Sequence, residues 1–204
     1  LPDAAALGKS VKAAIAAGIP VISMNSGSDD YASLGISAHV GQTEFEAGVG
    51  GGQKMKAAGG KKALCVNHEV GNVALDRRCA GFKKGFGGTV DILGTSNDVT
   101  EIQKAVAAKL GGGYDTILTL GAGLSGEAAL AALEAAGKVG KVRLGTFDMS
   151  PNMLILCVRS IHTLPVLQSL LLEHHCNGLK VVGIGPVITI APENNPPAFG
   201  AAHL

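Results

Sequence analysis

Apolar residues recur along this chain in two alternating rhythms. Leu7, Val11 and Ile15 keep the four-residue spacing of one helix face, behind Asp3 as an N-cap and ahead of Gly18 and Pro20. Short apolar runs at 21–24 and 36–40, with a polar loop to Leu34 between them, read as strands. Thr43 and Glu46 have the spacing of a capping box for a helix that ends at Gly59 and Gly60. Gly48 and the glycines at 50–52 weaken that helix but would let it pack close to a sheet.

From Lys61 the alternation is regular. Strands are expected at 63–66, 90–94, 116–120 and 142–147, and helices at 72–86, over the face of Ile102, Val106 and Leu110, and at 126–136. Asp98 with Glu101 caps the middle helix, and Ser150 with Pro151 suits the start of another. Beyond Leu154 the rhythm blurs. Pro165 can open a helix running to about His175, short strands are expected near 181–182 and 187–190, and 192–204 reads as loop. Strands alternating with helices of this length predict an α/β fold, a parallel sheet flanked by helices on both faces.

Composition narrows the functions. Net charge is +1 with 16% charged residues, so no global field favours nucleic acid or an anionic membrane surface. Trp is absent, which removes the usual stacking platform for single strands. No apolar run reaches the roughly 20 residues that span a bilayer, and no signal-peptide pattern opens the sequence. Cys65, Cys79, Cys157 and Cys176 have neither zinc-knuckle nor CxxC spacing. Cys65 in a strand and Cys79 in a helix read as buried thiols.

Parallel α/β sheets bind ligands beyond the carboxyl ends of their strands. The residues there are Asn25 and Ser26, then Asn67, His68 and Glu69, then Thr95, Ser96 and Asn97, then the glycines at 121–123, and finally Asp148. Arg77 and Arg78 follow one turn into the helix after Asn72. Amide, carboxylate and guanidinium groups meet the donor–acceptor pairs of sugar hydroxyls in bidentate fashion, so this set suits a neutral polyhydroxylated ligand.

The runs GIPVISMNSG (18–27), NHEVGNVALDRRCAGF (67–82) and GTFDMSP (145–151) resemble the ribose- and galactose-type periplasmic sugar-binding proteins of ABC transporters. The resemblance spreads from Leu1 to about Leu154. It implies two lobes of parallel sheet flanked by helices, with 1–59 the remnant of an incomplete first lobe, 60–185 the second lobe and 186–204 a carboxyl-terminal tail. Asn25 would hold hydroxyls from the first lobe, and Arg78 and Asp148 from the second, with Ser26 and Asn67 beside them. The implied role is periplasmic capture of a small sugar or polyol by hinge closure, delivered to a membrane permease. No catalysis, cofactor, metal or nucleic acid is implied, and the chain itself would not be membrane-inserted. Near 162–169 the chain keeps only Pro165 and Leu167-Gln168 of the family's run.

A rival pattern lies at Gly121-Ala122-Gly123-Leu124-Ser125-Gly126, a GxGxxG between a strand and a helix, with Asp148 ending the next strand. In a Rossmann-type oxidoreductase that turn would hold the pyrophosphate of NAD or NADP, and the acidic residue a ribose hydroxyl. A fingerprint normally opens its domain, whereas several βα units precede this one. His174, His175 and Cys176 read as a helix end whose neighbouring side chains diverge by about 100° and cannot chelate one ion. A third reading is a truncated chain without binding activity, which would expose apolar surface on the first lobe.

Overall fold

The computed structural model describes residues 1–148 and 150–152, and beyond them the backbone of three strands at 173–176, 179–184 and 187–192. Helix α1 (Ala4–Ala16) starts where Asp3 accepts the Ala6 N–H at 3.0 Å and stops before Gly18 takes φ +78°. Strands β1 (Ile22–Asn25) and β2 (Ala38–Gly41) follow, pairing in parallel with Ser23 opposite His39 in a two-stranded sheet.

The remaining elements build the larger sheet. They run α2 (Glu44–Ala57), β3 (Lys62–Asn67), α3 (Val73–Phe86), β4 (Thr89–Gly94), α4 (Val99–Lys109), β5 (Thr116–Thr119), α5 (Glu127–Ala135) and β6 (Arg143–Phe147). Strands β4-β3-β5-β6 are all parallel, the expected α/β arrangement. Three further strands, β7 (Glu173–Cys176), β8 (Leu179–Ile184) and β9 (Val187–Pro192), extend it antiparallel, β9 lying against β6. The helix expected to reach His175 therefore meets a strand at 173–176, and its earlier part lies outside the described residues. The helix end expected to carry His174 and His175 is extended backbone instead.

Period-two alternation in the strands divides the core between the two faces. Leu64, Val66, Ile117 and Leu144 pack with Ile102 and Val106 of α4 and Ala128, Ala129 and Leu133 of α5. Ala63, Cys65, Leu118 and Phe147 point the other way, onto Met55 of α2 and Cys79, Phe82 and Phe86 of α3. Cys65 and Cys79 are joined as a disulfide across this second face, 14 residues apart in sequence, and both are fully buried. The expectation of free thiols is overturned here, because β3 and α3 bring together two residues whose spacing carries no disulfide signature. A cross-link closing a loop of this size is worth about 3 kcal/mol in the chain-entropy account.

The glycines of α2 do not serve a close approach to the sheet; they face α3. A Cβ on Gly48 would lie 2.1 Å from the Arg78 carbonyl oxygen, and one on Gly52 would lie 2.4 Å from that of Phe82. In return, Cβ atoms on Gly81 and Gly85 would sit 2.0 Å from the carbonyl oxygens of Phe45 and Val49. Backbone thus meets backbone along two turns of each helix, and no side chain fits between them. Helix α2 begins at Glu44 as the capping pattern implies, although the Thr43 side chain makes no cap hydrogen bond. Since the clashing atoms are main-chain, Gly81→Ala must push the helices apart. We expect it to cost about 1–3 kcal/mol or more in urea unfolding, whereas Gly50→Ala, which meets nothing within 4 Å, should be neutral or slightly stabilising.

Candidate functional site

Two of the expected ligand residues share an unusual backbone. Asn25 at the end of β1 and Asp148 just after β6 have φ +66° and +65°, and they are the two non-glycine residues with positive φ among those described. Asn and Asp tolerate this region better than other side chains. Such conformations concentrate at ligand clamps, where surrounding structure holds them in place. Both side chains are exposed.

Arg78 lies under the carboxyl edge of the larger sheet and is 6% exposed. Its Nε and Nη2 donate to Glu44 Oε2 at 2.6 and 2.5 Å, and its Nη1 donates to the Leu120 carbonyl at 3.2 Å. The guanidinium carbon lies 4.6 Å from the centre of the Phe147 ring, in cation–π contact. Glu44 is equally buried. Gln42 Nε2 donates to its Oε2 at 3.3 Å, while its Oε1 has no hydrogen-bond partner among the described residues. A buried carboxylate oxygen left unpaired costs free energy unless a further donor reaches it.

Arg77 goes the opposite way. It is half exposed and pairs with Asp29 of the β1–β2 loop at 2.8 Å. The space enclosed by that loop, Glu44, Phe45 and Arg77 measures about 20 Å³, room for a single water.

Of the other two candidates, Asn67 is already engaged. Asn67 is buried, donating through Nδ2 to Asp76 at 2.7 Å and accepting the Glu69 N–H at 3.0 Å, so its amide braces the turn from β3 into α3. Ser26 lies just beyond β1 and is half-buried. The fold therefore gathers Arg78, Glu44, Phe147, His68 and Asp148 around the ends of β3, β5 and β6. Asn25 and Ser26 stand at the end of β1 in the smaller sheet.

Glu44 is the residue that sequence reasoning passed over, since the capping pattern drew attention to Thr43 and Glu46. Its signal was the glycine face: Glu44 lies one turn before Gly48 and so shares the side of α2 that approaches α3.

Half-burial pushes the His68 imidazole below its ordinary value of 6.5. Glu69 pulls it back up, Arg78 adds to the lowering, and Asp148 again raises it. Its Nδ1 lies 3.2 Å from the Ser125 hydroxyl, which donates to the Gly121 carbonyl at 3.0 Å. The Gly121–Gly126 turn is therefore closed on itself. A Cβ on Gly121 would meet the His68 ring at 3.2 Å, so the imidazole packs against the start of this turn. Among the described residues no cluster of three or more His, Cys, Asp or Glu could hold a metal, and no helix is long and apolar enough to cross a membrane.

A family model for the periplasmic binding protein domain matches residues 1–160. The chain belongs to the periplasmic binding protein family. Among solved structures it is similar to a carbohydrate transporter protein from Acidothermus cellulolyticus in complex with myo-inositol. The two share 33% identity over 78% of this chain and 56% of that one, with a TM-score of 0.73. A periplasmic sugar-binding protein of an ABC sugar transporter from Legionella pneumophila shares the fold at 23% identity, covering 80% of this chain and 62% of that one, TM-score 0.65. So does an ABC transporter solute-binding protein from Burkholderia graminis in complex with D-arabinose, at 24% identity, 75% and 56% coverage, and TM-score 0.66.

This periplasmic binding protein chain spans 56–62% of the length of these relatives. No curated protein matches it. These relatives are solute-binding proteins, and the dinucleotide reading is not favoured.

The His68 environment sets a pH dependence. The folded chain resists protonation while the unfolded chain takes up its proton near 6.5, so stability present above that pH is lost as pH falls toward the lower folded value. We expect the melting temperature to drop between pH 7 and about pH 5, and His68→Gln to flatten that drop. An unchanged slope in the variant would show that His68 does not feel this burial.

Proposed function

We propose that this chain captures a neutral sugar or polyol outside the cytoplasm for an ABC importer. The observation that carries the reading is the buried Arg78–Glu44 pair with its unpartnered carboxylate oxygen. The pair has no net charge, yet it offers N–H donors and an acceptor side by side. A hydroxyl both donates and accepts, so a polyhydroxylated ligand can satisfy Glu44 Oε1 without bringing in a charge that would need neutralising. The inositol and arabinose bound by the related proteins are of this class.

In this reading Asn25 and Ser26 meet the ligand from a first lobe built on the β1–β2 sheet. Arg78 and Asp148 meet it from a second lobe built on the larger sheet, and Asn67 holds the turn that presents α3. Helix α2 goes with the second lobe, because its glycine face lies on α3. Hinge closure would bring the two sets of residues together around the ligand. The partner that reads the closed form would be a membrane permease. Periplasmic residence is supported by the family and by the Cys65–Cys79 disulfide, which persists in oxidising compartments. Binding rather than turnover is the output.

The test is thermal unfolding against myo-inositol, pentoses, hexoses, NAD and NADP. One sugar or polyol should raise stability by about 2.7 kcal/mol at a hundredfold excess over its dissociation constant, and the dinucleotides should not. Asp148→Asn keeps the left-handed backbone but removes the charge, and should weaken binding by about 10- to 100-fold. Stabilisation by NAD alone, or an Asp148→Asn variant of unchanged affinity, would contradict the proposal.

A further inference from the structure

His68 stands among the residues proposed to hold the sugar, yet sugar capture as described gives it no task. It follows β3 directly and is half-buried. Arg78 of α3 and Asp148 at the end of β6 lie close enough for both charges to act on its ring. Glu69, its neighbour in the loop, is the third charge that reaches it. The Gly121–Gly126 turn against which the ring packs carries no charged side chain.

Hydrogen-bond accounting fixes which ring nitrogen holds the proton. The Ser125 oxygen lies 3.0 Å from the Gly121 carbonyl and 3.2 Å from His68 Nδ1. A carbonyl only accepts, and a hydroxyl has a single proton to give. Ser125 gives its proton to Gly121, so Nδ1 must donate to the Ser125 oxygen. The neutral ring is then left with a bare lone pair on Nε2. No described residue hydrogen-bonds to Nε2, and it is not among the buried atoms without a partner, so it meets solvent. One edge of the ring is anchored and the other is an open acceptor.

We propose that His68 is a specificity-determining ligand residue, whose Nε2 accepts the proton of one hydroxyl of the bound sugar or polyol. This role presupposes the sugar-binding function and adds a condition to it. A hydroxyl that accepts from one donor must hand its own proton on, and Nε2 is a neutral acceptor for it. An ether or methoxy oxygen at that place has no proton and would set lone pair against lone pair. Binding also requires the neutral ring. Burial favours that form most and Arg78 assists, while Glu69 and Asp148 oppose it, and the balance lies below the ordinary value of 6.5. Affinity should therefore hold near neutrality and fall in acid, by about tenfold for each pH unit below the ring's own value.

The experiment is calorimetric titration of the full 204-residue chain with myo-inositol and with pentoses and hexoses, between about pH 8 and pH 5. The parent is compared with His68→Asn and His68→Gln. An asparagine amide reaches as far as Nδ1 and keeps a donor for Ser125, but ends short of Nε2. A glutamine amide reaches about as far as Nε2 and does not titrate. His68→Asn should weaken binding about tenfold at the upper end of the range. His68→Gln should bind within a few fold of the parent and lose the acid fall. Unchanged affinity in His68→Asn, or an undiminished acid fall in His68→Gln, would overturn the role of His68 and leave sugar capture standing. Failure of the parent to bind any of these ligands near pH 8 would overturn sugar capture itself, and the role of His68 with it.

Discussion

The contact on which the site depends is the one between α2 and α3, where four glycines let main chain touch main chain. Gly48 and Gly52 receive carbonyls of α3, and Gly81 and Gly85 receive carbonyls of α2. Any side chain at these positions would stand inside a carbonyl oxygen. The helices are therefore held at a separation that no alanine-lined pair could reach. Helix propensity is sacrificed for it, at up to about 1 kcal/mol for each glycine. At that separation Glu44, one turn upstream of Gly48, lies against Arg78, whose own carbonyl is what Gly48 touches. The glycine contact and the ion pair are two parts of one interface.

Burial gives the ion pair its character. Two charges taken out of water repay their desolvation only when the geometry is good and the remaining hydrogen-bonding capacity is filled. Arg78 meets that condition with Glu44, the Leu120 carbonyl and the face of Phe147. Glu44 does not, because one of its oxygens is left over. A binding protein can use such an imbalance, since a ligand hydroxyl gains more by ending it than by joining a group already satisfied. The left-handed backbones of Asn25 and Asp148 fit the same account, as strain held by the fold at the ends of strands where ligands approach.

Much of this was legible from the chain. Asp3, Asn72 and Asp98 do cap α1, α3 and α4 through their side chains, as local hydrogen-bonding chemistry predicts. The alternation of strands and helices gave the parallel sheet, and strand ends pointed to Asn25 and Asp148. What could not be read depended on partners remote in sequence. Arg78 and Glu44 are 34 residues apart, and nothing local to either foretells their meeting. Cys65 and Cys79 looked like ordinary apolar positions of a strand and a helix until the sheet face brought them together. Asn67 was rightly placed at a strand end, yet Asp76 and the Glu69 N–H occupy its amide. The glycines of α2 signal close packing, but their partner is α3 and not the sheet, because helix spacing alone does not say which element lies opposite.

Glu44 and Arg78 act as one unit at the α2–α3 interface. A double-mutant cycle of Glu44→Ala and Arg78→Ala, followed by urea unfolding, measures this directly. Each single change leaves a buried charge alone and should cost about 3–5 kcal/mol. The double variant should then cost less than the sum of the two by about 2 kcal/mol or more, within the range found for contacting groups. Additive losses would mean that water separates the two side chains and that the glycine contact does not hold the helices as described.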